Sequence, residues 1–153
     1  MSQVVHHVAL TCSDPLVVER WYTKHLGFRR ARVYEPGADQ VVLISAQGVY
    51  LELFKAIMNS PLPVATGSGP EFPGWRHLAF LVDDVDAKLA EMGDDARITR
   101  GPLSMDQYIP GLRGVWLADP EGNIVELSQG YVDEINPPQP EWVESGVGPE
   151  VRA

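Results

Sequence analysis

The chain has 153 residues, 44% of them hydrophobic, which is enough for one compact domain or for two small halves sharing a core. Twelve basic against 21 acidic residues leave a formal net charge of -9, which opposes a phosphate backbone or an anionic lipid surface and argues against nucleic acid and membrane as partners. No stretch approaches the roughly 18 apolar residues of a membrane span, and MSQVVHHVAL has neither a basic n-region nor a long apolar h-region, so a cytoplasmic location is the default expectation.

In chain order, residues 3–12 (QVVHHVALTC) are β-branched and apolar enough for a strand. Cys12, the single cysteine, rules out an intrachain disulfide or a thiolate cluster and reads as a small core residue at the strand end. Ser13-Asp14-Pro15 supplies a helix cap followed by proline at the first helical position, and the helix is expected to run to about His25. Its apolar side is Val17, Trp21 and Leu26, with Val18 and Tyr22 beside it; Gly27 is the stop, and His25 reads as a surface residue compatible with the helix dipole. Three strands follow, FRRARVYE, QVVLISA and VYLELFKA, separated by PGAD and QG turns. The proline- and glycine-rich run 57–74 marks a linker or loop.

The pattern then restarts. WRHLAFLV reads as a strand, Asp83 or Asp84 caps a helix with Val85, Leu89 and Met92 on one side, and Gly93 ends it. ARITRGPL, RGVWLAD and NIVELSQ complete a second βαβββ unit, with DPEGN as a tight turn and 101–112 as a candidate substrate loop. The acidic, proline-rich end extends without a core of its own, with Trp142 as a candidate anchor on a neighbouring subunit.

The duplication carries chemistry. His7 and His77 stand 70 residues apart, Glu52 and Glu126 stand 74 apart, and the glutamates share the settings YLELF and IVELS. Strand alternation turns Glu52 away from Leu51 and Leu53, and Glu126 away from Val125 and Leu127. Ala9 and Ala79, each two residues after its histidine, leave room on the histidine's face. Taken singly, each of the four is most often a hydrogen-bonded or solvated strand residue; their joint register points to one site. Two carboxylates in a shared cavity repel and lose hydration, and a divalent ion relieves both. Imidazole with carboxylate suits Ni, Co, Zn, Fe or Mn. His6 is adjacent but points oppositely, and the match to RHLAF selects His7.

HHVALTCSDPLVVERWYTKHLGF, YLELF, RHLAFLVDDVDA and LADPEGNIVEL resemble the vicinal oxygen chelate superfamily over residues 4 to about 130. That superfamily contains glyoxalase I, methylmalonyl-CoA epimerase, extradiol dioxygenases and the bleomycin and fosfomycin resistance proteins. The resemblance implies an α+β fold of paired βαβββ modules, forming curved mixed β-sheets around a metal-binding cup with helices outside, commonly as a homodimer. The expected division is 1–56 and 75–130 for the two modules, 57–74 for the connection and 131–153 for the tail. The ligands fall on His7, Glu52, His77 and Glu126, with Glu126 and Glu52 as the proton-transferring catalytic pair.

A His/Glu/His/Glu set resembles glyoxalase I, whereas the epimerases typically carry glutamine at the Glu52 position and extradiol dioxygenases use two histidines and one glutamate. Thr11 stands where glyoxalase I often has an arginine, and the asparagine expected after LELF is missing; both departures count against glutathione as substrate. A metal-dependent isomerase or lyase acting on a small carbonyl or oxygenated substrate therefore ranks first. An iron-dependent dioxygenase, its pocket lined by Trp75, Tyr108 and Trp116, is the alternative, and a non-catalytic drug-binding resistance protein is the third reading.

Overall fold

The computed structural model describes residues 4–34, 36–37, 40–71 and 73–137. The first half contains β1 (His7–Cys12), α1 (Pro15–Leu26), β2 (Arg29–Tyr34), β3 (Val41–Ala46) and β4 (Val49–Lys55). The second contains β5 (Leu78–Leu81), α2 (Val85–Met92), a 3-10 turn (Gly93–Asp95), β6 (Ile98–Ser104), β7 (Arg113–Ala118) and β8 (Ile124–Gln129). The fold is α+β and built from paired βαβββ units.

Local chemistry sets the helix ends. Asp14 sits in extended conformation and its Oδ1 accepts from Leu16 N at 2.9 Å and Val17 N at 3.3 Å, so two of the helix's orphan donors are satisfied. Gly27 adopts a left-handed conformation (φ 68°) and donates its N–H to the Tyr22 carbonyl, a role few other residues fill without strain. In the second half Asp84 Oδ1 accepts from Ala87 N at 2.9 Å, and the Gln129 side chain accepts from Val85 N at 2.8 Å.

Each half forms its own four-stranded mixed sheet, ordered β1-β4-β3-β2 and β5-β8-β7-β6. The first strand of each is parallel to the last, which requires a crossover, and the helix provides it. The sheets are not joined to one another, so β1 and β5 are edge strands. One apolar core serves both halves: Val18, Tyr22, Leu51 and Leu53 pack in the same cluster as Val115, Leu117, Val125 and Leu127. Phe28 and Phe80 meet edge to face across the boundary, with ring centroids 6.0 Å apart. No helix among the described residues is long and apolar enough to cross a membrane.

Several expectations shift. The buried side of α1 is Val18, Trp21, Tyr22 and His25, while Val17 is exposed. His25 is a core residue rather than a surface one, because Asp95 of the other half meets its Nε2 at 3.0 Å. The edge strands are shorter than their sequence patterns: Val4, Val5 and Trp75 lie outside them and are exposed. Gly101–Ser104 belong to β6, so the loop after it is confined to 105–112. Trp142 lies outside the described residues.

Candidate functional site

The register of β4 and β8 positions the two glutamates. Leu51 and Leu53 are fully buried, as are Val125 and Leu127, and Glu52 and Glu126 project from the opposite faces, half-buried. Ala9 lies directly opposite Glu52, and Ala79 directly opposite Glu126, so each carboxylate has a small neighbour on the side toward the edge strand. His7 opens β1 and His77 immediately precedes β5.

Each histidine turns Nε2 to the glutamate of its own half. His77 Nε2 is 2.8 Å from Glu126 Oε2, and His7 Nε2 is 3.3 Å from Glu52 Oε2. The other ring nitrogen is occupied in both. His77 Nδ1 faces the Ser68 carbonyl at 3.4 Å, and His7 Nδ1 faces His6 Nδ1 at 2.8 Å. Since a carbonyl only accepts, a hydrogen bond there puts the hydrogen on His77 Nδ1, and the tautomer with its hydrogen on Nδ1 alone presents the Nε2 lone pair to the carboxylate oxygen. Two acceptors so close need a cation between them, a proton or a metal ion. Ligand bonds of 2.0–2.2 Å put adjacent donor atoms roughly 2.8–3.6 Å apart between right-angled and tetrahedral geometry, and the two pairs, at 2.8 and 3.3 Å, fall in that range. The donor types and separations therefore suit a divalent ion, toward which the Ser68 carbonyl and the His6 ring would orient the imidazoles.

The chain does not gather all four residues. The structure brings His7 to Glu52 and His77 to Glu126 as separate pairs, and among the described residues no group of three or more His, Cys, Asp and Glu side chains is placed to hold one ion. Each pair stands on its own sheet, at the edge-strand side.

Two serines that sequence reasoning did not single out support the pair in the second half. Ser68, in the 57–74 segment, is buried and is held by Thr99 Oγ1, which donates to the neighbouring Gly67 carbonyl at 2.6 Å. Ser128 Oγ donates to Glu126 Oε1 at 2.5 Å, leaving Oε2 to His77. Ser128 was visible two residues after Glu126 on the same strand face; Ser68 had no periodic context. Among the aromatic candidates, Trp75 and Tyr108 are exposed, while Trp116 is buried and pairs directly with Glu126 across β7 and β8. Cys12 is a core thiol, as its place in the sequence suggests, and burial, aided by the charges of Glu121, Asp119 and Asp14, pushes it up to about 12, too high for a nucleophile.

Duplicated βαβββ units with a His/Glu pair at equivalent places in each define a class, and sequence comparison agrees with it. Residues 4–127 match the Glyoxalase/Bleomycin resistance protein/Dioxygenase superfamily, and the chain belongs to that superfamily. It is 34% identical over 127 residues to the uncharacterised protein YaeR of Escherichia coli K12, covering 80% of this chain and 93% of that one. Among solved structures it resembles a glyoxalase/dioxygenase from Nostoc punctiforme, with a TM-score of 0.66 and 25% identity over 85% of this chain and 92% of that one. It also resembles a glyoxalase family protein from Enterococcus faecalis, with a TM-score of 0.63 and 28% identity over 82% and 97% of the two chains. The superfamily includes enzymes, and its members typically bind a metal ion and small molecules and often form dimers.

Proposed function

We propose that the protein is a divalent-metal-dependent isomerase or lyase of the glyoxalase I type, acting on a small carbonyl or oxygenated substrate. The ligands are His7, Glu52, His77 and Glu126, and each complete site takes one His/Glu pair from each of two copies in a homodimer. The observation that carries the reading is the matched orientation of the two pairs: Nε2 toward a carboxylate, Nδ1 engaged elsewhere. The two-copy arrangement is supported by the separation of the pairs within one chain and by the outer edges of β1 and β5, which pair with no strand among the described residues and which proteins seldom leave open to solvent.

When bound, a divalent ion supplies Lewis-acid polarisation of a substrate oxygen, which acidifies the adjacent C–H bond. The chain's own groups do the rest. Ser128 fixes Glu126 through Oε1, so the carboxylate keeps a defined orientation, whereas the described polar contact of Glu52 is with His7 alone. Glu52 and Glu126 then serve as the base that takes a proton from one carbon and the acid that returns it to its neighbour. Ala9 and Ala79 leave the space above the carboxylates for the reacting carbons.

The test is elemental analysis of protein purified without added metal, beside a His77→Ala, Glu126→Ala double variant, together with isomerisation assays on small 2-oxoaldehyde adducts. The expected result is about one divalent ion per chain in the wild type, none in the variant, and an activity loss on the order of 10²–10⁴-fold. Wild-type protein that cannot be loaded with metal would overturn the reading, and oxygen uptake in place of isomerisation would replace it with dioxygenase chemistry.

A further inference from the structure

Four residues form a row across the second sheet, each directly opposite the next: Ala79 on β5, Glu126 on β8, Trp116 on β7 and Arg100 on β6. Opposed residues share a face, so Arg100 and Trp116 lie on the face that carries the proposed metal-binding pair. Trp116 is 8% exposed, and its Nε1 is the one buried side-chain nitrogen or oxygen without a hydrogen-bond partner among the described residues. An orphaned buried donor is rare, because nothing offsets its lost hydration until an acceptor arrives. Arg100 lies over the same indole, its guanidinium carbon 5.4 Å from the ring centroid. Its one described hydrogen bond is long, 3.4 Å to Ser68 Oγ, and among the described residues no carboxylate forms an ion pair with it, whereas Arg30 and Arg113 are paired with Glu19 and Asp86. An exposed guanidinium standing over a ring in a chain of net charge -9 is placed for an incoming anion.

A Cβ at Gly114 would stand 3.7 Å from Glu126 Oε1, 3.6 Å from the Trp116 ring and 2.9 Å from Met105 Cε, so only glycine lets Met105 pack where the carboxylate and the indole ring come together. Strand spacing puts the Arg100 and Glu126 backbones about 10 Å apart, a span that the arginine side chain and a ligand of a few carbons can bridge. The first sheet repeats the row as Ala9, Glu52, Leu43 and Arg32, but leucine there offers no donor.

We infer that Arg100 and the Trp116 indole N–H form an oxyanion subsite that receives a carboxylate or phosphate group of the substrate. The substrate class narrows accordingly to small carbonyl or hydroxy compounds bearing such an anion a few bonds from the reacting oxygen. This rests on Glu126 and His77 being part of the reaction site, as proposed above.

The test is the indole N–H resonance of Trp116 in ¹⁵N-labelled protein, assigned by its loss in Trp116→Phe, during titration with acetate, inorganic phosphate and, as a neutral control, acetamide at constant ionic strength. A saturating shift with either anion and none with acetamide is expected, weakened at least about tenfold in Arg100→Gln and partly retained in Arg100→Lys. A response to acetate alone assigns a carboxylate, and a response to phosphate alone assigns a phosphate. No saturable shift with either anion, or unchanged affinity in Arg100→Gln with the Trp21 resonance intact, overturns the subsite. Metal content of the same samples reports separately on the metal reading: protein without metal whose Trp116 resonance still saturates supports the subsite and overturns only the metal chemistry.

Discussion

Asp119 has no exposed surface, yet it carries a carboxylate among four donors. Oδ1 accepts from Glu121 N and Asn123 N, both at 2.9 Å, and Oδ2 accepts from Asn123 Nδ2 at 3.0 Å and Tyr22 Oη at 3.3 Å. The Tyr22 contact ties the helix of the first half to the turn of the second. Burial raises the Asp119 carboxyl above its ordinary value of 3.8, and the hydrogen bonds only partly oppose it. The folded chain therefore binds this proton more tightly than the unfolded chain. Its contribution to stability is fullest below 3.8 and is lost as pH rises through the raised folded value. Unfolding free energies of wild type and Asp119→Asn, measured from about pH 4 to about pH 7, are expected to show the wild-type advantage shrinking with rising pH. An advantage that grew with pH would mean the four donors outweigh desolvation. Asp119→Ala, which strands those donors, is expected to cost about 3 kcal/mol or more.

The same contrast between local and distant partners governs the elements. Both helices were legible in the sequence because each start and stop is one local signal: Asp14 with Pro15, Asp84, Gly27 and Gly93. The sequence offers Ser13-Asp14-Pro15 as the cap of the first helix and Asp83 or Asp84 as that of the second; the structure gives the roles to Asp14 and Asp84, and Ser13 Oγ reaches Glu121 instead. Asp14→Ala is expected to destabilise by about 1 kcal/mol, and Ser13→Ala by less than about 0.5 kcal/mol, in chemical denaturation; the reverse order would discard Asp14 as the cap. The faces of Glu52 and Glu126 were legible because β4 and β8 keep strict alternation. The row containing Arg100 was not, because the ladder shifts register on both sides of it, between Ile98 and Arg100 and between Arg100 and Leu103, and a bulge cancels the period-two rule. His25 was misread for a different reason: its partner Asp95 is 70 residues away. Edge strands, whose extent depends on what lies beside them, were overread at Val4, Val5 and Trp75.

At the scale of the molecule, the two His/Glu pairs belong to halves locked by one core. The Phe28–Phe80 contact, the Tyr22–Asp119 hydrogen bond and the meeting of Lys24 and His25 with Asp95 all bind α1 and its sheet to the second half. Bringing the pairs together inside one chain would cost those contacts, whereas a second copy laid along the open edges of β1 and β5 costs none of them. The proposed two-copy site therefore makes a prediction that a single-chain site does not share. One chain carrying His7→Ala and Glu52→Ala, and another carrying His77→Ala and Glu126→Ala, would each form dimers holding only half-sites. Co-expressed with different tags, the two chains would also form mixed dimers in which one site is intact and the other lacks all four ligands. Random pairing makes about half the dimers mixed, so the pool is expected to bind about a quarter of the wild-type metal, all of it in the fraction carrying both tags. A site assembled within one chain would leave that fraction empty, because neither chain would hold a complete ligand set.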